Sequence, residues 1–326
     1  MATGRGWRAA LLLGLAACAG PAAMATGEDI VVCGQRYPIG APVVLWSDAG
    51  GYDASVPGPV LAPAGPAGPR YTPGRSWEPD PAAVSLDRLR EHVDLFVLHY
   101  DIAGFSRNTF HLLQDERALS AHFLLDVDGT LYQTLDLRDQ AWHGRFTNAR
   151  SIGVEIANMG VFAPDDPSDD PYQKRRWYVR DGERLRLAIP AEFGDAHIRG
   201  TGPFYSSRNE PVRGRVHGRE WAQFDFTPQQ YATLVKLTAA LRRLFPRIEL
   251  EAPRDAEGRV RTDELPRAEL DAFHGIVGHG HITTERNEPG PAFQWDAYLR
   301  AVRELEARGA ASDVPVWPMD AGARGP

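Results

Sequence analysis

The sequence predicts an α/β domain with a central mixed, mainly β sheet flanked by helices, and three stretches carry that expectation. Val93–Leu98 (VDLFVL) is a mostly apolar run suited to a buried strand. His122–Leu135 (HFLLDVDGTLYQTL) holds two β-prone runs around Asp128-Gly129, a dipeptide favoured in tight hairpin turns. Thr227-Pro228 then opens a helix: Thr227 can cap it, Gln230 completes a capping box, and Tyr231, Leu234, Val235, Thr238, Leu241 and Phe245 form one largely apolar stripe.

In chain order, residues 1–25 read as a leader. Arg5 and Arg8 precede the apolar run Ala9–Ala17, the layout of a secretory signal. Leu15-Ala16-Ala17-Cys18 resembles a lipobox, in which Cys18 becomes the lipidated first residue, whereas Ala23-Met24-Ala25 offers an ordinary cleavage site. The lipobox is the preferred reading. It implies export across the inner membrane and a lipid anchor at the periplasmic face, on the outer membrane; ordinary cleavage implies a soluble periplasmic protein. Either route removes a Cys18–Cys33 disulfide, which leaves Cys33 as a small buried hydrophobe.

Residues 26–87 read as a Pro/Gly-rich extension with short strands at Ile30–Val32 and Val43–Trp46 and extended loops from Gly50 to Pro81. The main domain spans 88–308. After the strand at Val93–Leu98 it contains a short helix over Asn108–Leu119, the hairpin, and a strand at Ser151–Ala157 (SIGVEIA). An insertion at 164–221 opens with Asp165, Asp166, Asp169 and Asp170, answers with Lys174-Arg175-Arg176, and has one hairpin around Trp177–Leu187. The helix from Thr227 ends in Arg242-Arg243, charge of the sign that suits a helix C-terminus. A strand or its exit at Phe273–Val277, a helix over about Trp295–Arg308 and a flexible tail at 309–326 complete the chain.

A net charge of −7 and a pI of about 5.8 argue against a nucleic-acid binder, which needs a basic face. No apolar run after the leader is long enough for a spanning helix. Gly-x-Ser-x-Gly, His-Glu-x-x-His and P-loop patterns are all missing.

The candidate chemistry lies at strand ends, where ligand groups converge in α/β sheets. His99 follows its strand directly, and His279 follows Phe273–Val277. His281 lies two residues further on, and spacing does not separate it from His279. Two histidines and a carboxylate with one open position make a catalytic zinc arrangement, and Glu288 could supply the carboxylate. Each histidine taken singly reads more readily as a hydrogen-bonded structural residue, or a surface one, than as a metal ligand. Glu155 sits between Val154 and Ile156 on its strand, and a carboxylate buried there must be paired or functional.

Five blocks, in order, carry a family resemblance: FVLHYD (Phe96–Asp101), SAHFLLDVDGTLYQTLDLRDQAWHGR (Ser120–Arg145), SIGVEIAN (Ser151–Asn158), FTPQQYATLVKL (Phe226–Leu237) and VGHGHITTERNEPGPAFQW (Val277–Trp295). The sequence resembles the zinc-dependent N-acetylmuramoyl-L-alanine amidases of the type 2 family, which also contains the animal peptidoglycan recognition proteins. The resemblance implies a type 2 amidase-like fold, zinc held by His99, His279 and Glu288, and a catalytic Glu155. It places Arg286 where the family has a lysine that stabilises the reacting carbonyl oxygen, and Trp142 and His143 in substrate contact. Glu288 stands where the family usually has aspartate or cysteine. The implied reaction cuts the amide between N-acetylmuramic acid and L-alanine in peptidoglycan or muropeptides. The alternatives are a non-catalytic peptidoglycan-binding protein on the same fold, and a zinc peptidase acting on cell-wall peptides.

Overall fold

The computed structural model describes residues 26–165 and 173–309, so the leader with Cys18 and nearly all of the tail lie outside the described residues. Strands β1 (Gly27–Val32) and β2 (Gln35–Leu45) form a hairpin. At its tip Cys33 and Gly34 take positive φ, and both amides donate to the Asp136 carboxylate at 2.7 Å. A short β3 (Tyr71–Thr72) follows, then α1 (Leu86–His92), capped by Ser85, and β4 (Leu95–Tyr100). Helix α2 (Ser106–Phe110) continues as a π-helical turn over His111–Arg117, close to the predicted helix.

The predicted hairpin forms as β5 (Phe123–Leu125) and β6 (Leu131–Gln133), with Gly129 at φ +86° in the turn. The short β7 (Gln140–Ala141) pairs with β3, and β8 (Ser151–Ile156) follows. The insertion contributes two hairpins, β9 (Tyr178–Asp181) with β10 (Arg184–Leu187), and β11 (Val212–Val216) with β12 (Arg219–Gln223). The first was expected; the second was not, because Val212–Gln223 alternates among Arg, Gly and Glu with few apolar residues to mark it. The chain ends with α3 (Pro228–Leu244), α4 (Arg267–Ala272), β13 (Gly275–Gly278) and α5 (Trp295–Arg308). Thr227 and Gln230 make the predicted reciprocal cap of α3.

Seven strands form one mixed sheet in the order β1-β2-β6-β5-β8-β4-β13. Residues 26–87, read as an extension ahead of the main domain, hold strands where expected, but β2 pairs in parallel with β6, so the first part of that segment is the edge of the central sheet. Alternation along β2 buries Ile39, Ala41 and Val43 in the main core, a pattern that the flanking Pro and Gly residues obscured.

One face of the sheet, with Phe96, Leu98, Ile152, Val154 and Ile276, packs against the apolar stripes of α3 and α5. The other face carries smaller apolar clusters toward its two sides, around Leu124 and Tyr132 and around Leu95, Val97 and Val277. Among the described residues no helix is long and apolar enough to cross a membrane.

Candidate active site

Three neighbouring parallel strands, β8, β4 and β13, aim their C-terminal ends the same way. His99 pairs directly with Glu155, and Gly278 pairs with Leu98, so His279 continues the row one position beyond β13. Because successive strand residues alternate faces, His99 follows Val97 and Leu95, and Glu155 follows Gly153, onto the face turned away from α3. Register sets His99 beside Glu155, and the turn that begins at the end of β13 brings the His279 ring to 4.6 Å from that of His99. The three side chains line one cavity of about 60 Å³ with Arg286 and Glu288.

The imidazoles are neutral and tightly placed. His99 Nε2 lies 3.1 Å from His143 Nδ1, and the two rings meet edge to face. A proton on His99 Nε2, donated to His143, leaves the lone pair on His99 Nδ1, which lies 3.9 Å from Glu155 Oε1. Burial, reinforced by His279, holds the His99 pKa well below its usual range, and burial pushes His279 and His143 down to about 3. His143 is packed over Gly153, where a Cβ would stand 2.4 Å from its Nδ1. It thus reaches the site through His99 as well as lining the groove. Trp142 also lines the groove, its Nε1 donating to Thr72 Oγ1 at 2.9 Å.

The ambiguity between His279 and His281 is resolved by hydrogen bonding. His281 Nδ1 accepts from the Gly278 amide at 3.0 Å and its Nε2 donates to Arg261 O at 2.7 Å, so both nitrogens are spent on structure. His279 faces the cavity, and its buried Nε2 has no hydrogen-bond partner.

Two carboxyl groups share this space. Burial pushes Glu155 well above the usual carboxylate range, and the nearby Asp101 and Glu288 charges push it further. Burial also pushes Glu288 up to about 7, against its own backbone amide and Arg286. Glu288 Oε2 is likewise buried without a partner. Asp101 was not singled out from the sequence. Its carboxylate accepts from the amides of Ala103, Gly104 and Asn158 and from Thr109 Oγ1, tying the loop after β4 to the end of β8. Arg117 and Arg145 were missed too. Arg117 lines the cavity, and Arg145 lines an adjoining groove of about 180 Å³ with Trp142, His143 and Arg286. Arg117 falls in no pattern that marks it among the chain's many arginines, and Arg145 closes the block Ser120–Arg145 with no role attached to it.

Among the described residues no group of three His, Cys, Asp or Glu side chains is arranged to hold a metal ion as it stands. The donor chemistry nonetheless fits zinc. Two neutral imidazoles and a carboxylate line one cavity, and His279 Nε2 and Glu288 Oε2 are buried polar atoms left without partners.

Fold and site together define a hydrolase-type centre at the parallel strand ends of a mixed sheet, with a buried carboxyl group beside neutral histidines. Comparison with known proteins makes the class specific. The family described as N-acetylmuramoyl-L-alanine amidase (Amidase_2) matches residues 89–291, and the chain belongs to that family. A peptidoglycan-recognition protein of Drosophila melanogaster is similar at 25% identity over 133 residues, 37% of this chain and 72% of that protein. The protein of the same name from Drosophila simulans matches equally. Among solved structures, a selenomethionine derivative of AmpD is 19% identical, covering 77% of this chain and 98% of that one, with a TM-score of 0.33. AmiD from E. coli, solved with anhydro-N-acetylmuramic acid-L-Ala-D-gamma-Glu-L-Lys, is 15% identical, covering 68% and 60%, with a TM-score of 0.34.

Proposed function

We propose that this protein hydrolyses the amide between N-acetylmuramic acid and L-alanine in peptidoglycan or its muropeptides, with zinc held by His99, His279 and Glu288. The observation that carries the reading is His99 paired in register with Glu155, with the His279 ring 4.6 Å from that of His99, in a chain of the amidase family. Zinc bound there would supply Lewis acidity for the water and the scissile carbonyl.

The chain's own groups account for the proton movements. A carboxyl group poised above its usual range is suited to accept the proton of the attacking water and pass it to the leaving amine of L-alanine, and Glu155 fills that role. Arg286 lines the same cavity and brings positive charge to the oxygen that becomes negative. Such a contact is worth roughly 3 kcal/mol in the transition state. The planar guanidinium spreads that charge over a fork of donors where a lysine would offer a point charge. His143 orients the His99 ring through the contact between their nitrogens, and Trp142 walls the groove.

The test is a digest of defined muropeptides by the protein without its leader, with products identified by mass spectrometry before and after zinc removal and restoration. Stem peptide beginning at L-alanine, lost with the metal and recovered with zinc, is the expected result. Intact muropeptide in the zinc-loaded sample would reject the amidase reading in favour of wall binding without cleavage.

The leader supports a place for this activity, on the periplasmic face of the cell envelope with a lipid on Cys18. Cys18→Ala should move the full-length protein from the membrane fraction to the soluble one. Retention in the membrane would rule out that anchor.

A further inference from the structure

The loop that carries Arg286 and Glu288 is held from outside by the insertion. At the tip of the β11–β12 hairpin, His217 Nε2 donates to Arg286 O at 2.7 Å, and the His217 amide donates to Thr262 O at 3.1 Å. At the far end of β12, the fully buried Gln223 bonds to the loop in both directions. Its Nε2 donates to Pro289 O at 3.1 Å, and its Oε1 accepts from the Ala292 amide at 3.0 Å. These contacts bracket Glu288, with one before it and two after it.

Close approach at two glycines fixes the fit. A Cβ on Gly290 would stand 2.2 Å from Gln223 Oε1, and one on Gly214 would stand 2.7 Å from Pro291. The loop also closes on itself, as the Gly280 amide donates to Glu288 O at 3.0 Å. Gln223 Nε2 further donates to Asn158 Oδ1 at 3.2 Å, just beyond the strand that bears Glu155. The hairpin thus links the two parts of the site that sheet register does not connect.

We propose that the β11–β12 hairpin is a positioning element for the reaction, with His217 and Gln223 holding the loop backbone on both sides of Glu288 so that Glu288 and Arg286 face the cavity. The inference rests on the ligand assignment above for its metal readout and stands apart from it in its exchange readout. Both side chains act through the loop and touch no substrate.

Three variants of the full domain test it: His217→Ala, Gln223→Leu, and His217→Gln, whose Nε2 can replace the lost donor. Zinc affinity of metal-free protein is read by chelator competition, and amide exchange over residues 284–292 is read without zinc. His217→Ala and Gln223→Leu should weaken zinc binding about 10- to 100-fold, the usual effect of removing an outer support of a ligand. They should also lower kcat more than they raise KM and speed exchange in the loop. His217→Gln should recover most of each. Zinc affinity within twofold of the parent, with exchange unchanged, would overturn the proposal even if thermal stability fell. A Gln223→Leu protein that fails to fold leaves the His217 pair to decide. A parent that binds no zinc would sink the ligand assignment, and loop exchange would still judge the hairpin.

Discussion

On one face of the central sheet, Phe96, Leu98, Ile152, Val154 and Ile276 meet Leu234, Val235 and Leu241 of α3 in a single apolar core. On the other face, the same strands present His99, Gly153 and Glu155, with the buried rings of His122 and His143 packed beside them. Residues one step apart on β4 and β8 therefore serve opposite ends. The apolar face stabilises by burial, whereas the polar face costs desolvation and holds neutral imidazoles and a protonation-prone carboxyl in place. The difference teaches that His99 and Glu155 are set by the same strands that build the core, whereas Arg286 and Glu288 come from the loop after β13. His122 shows the cost being met: its Nδ1 accepts from the Gly153 amide at 3.1 Å and its Nε2 donates to Asp139 O at 3.0 Å.

The sharpest way to break the comparison is to change one residue on each face. Glu155→Gln, nearly isosteric, should leave the fold and zinc binding intact and lower turnover by about 10²- to 10⁴-fold, the usual worth of a positioned general acid-base. Turnover near the parent's on a defined muropeptide would remove Glu155 from its role. On the opposite face, Leu234→Ala should cost about 2–5 kcal/mol in urea unfolding while kcat per folded molecule stays within a few-fold of the parent. A large kcat loss at full folding would show that the faces are coupled.

A third variant sharpens the comparison through pH. Asp126, at the end of β5, accepts from the amides of Val127 and Ser106, yet burial raises its pKa from 3.8 to about 7. Above pH 4 the unfolded chain loses this proton while the folded chain keeps it. The stability contributed is thus full below the unfolded value and lost as pH rises to about 7, a fall of at most about 4 kcal/mol. Asp126→Asn should flatten the decline in urea midpoint between pH 4 and 7. Parallel curves for parent and variant would reject the assignment.

What could be read from the sequence follows the same division. Mostly apolar runs mark the strands, with His99 directly after one and Glu155 inside the other, and the capping box gives α3 its start, because these are local patterns. The choice between His279 and His281 depended on Arg261 O, 20 residues away along the chain, which no spacing rule reports. The place of β2 in the sheet depended on pairing with β6 across the intervening Pro/Gly-rich loops. His217 and Gln223 were silent for the same reason, since their partners, Arg286 O, Pro289 O and Ala292 N, are backbone atoms distant in sequence.

The strand order also sets how the molecule can be held. The described chain enters through β1 at one edge of the sheet, while His99 lies on β4, five strand positions away, roughly 24 Å at the usual strand spacing. Anything tied to the chain ahead of residue 26 thus pulls on the edge remote from the groove. A leash there would let the groove swing outward over a polymeric wall instead of pressing it against the surface to which the leash is fixed.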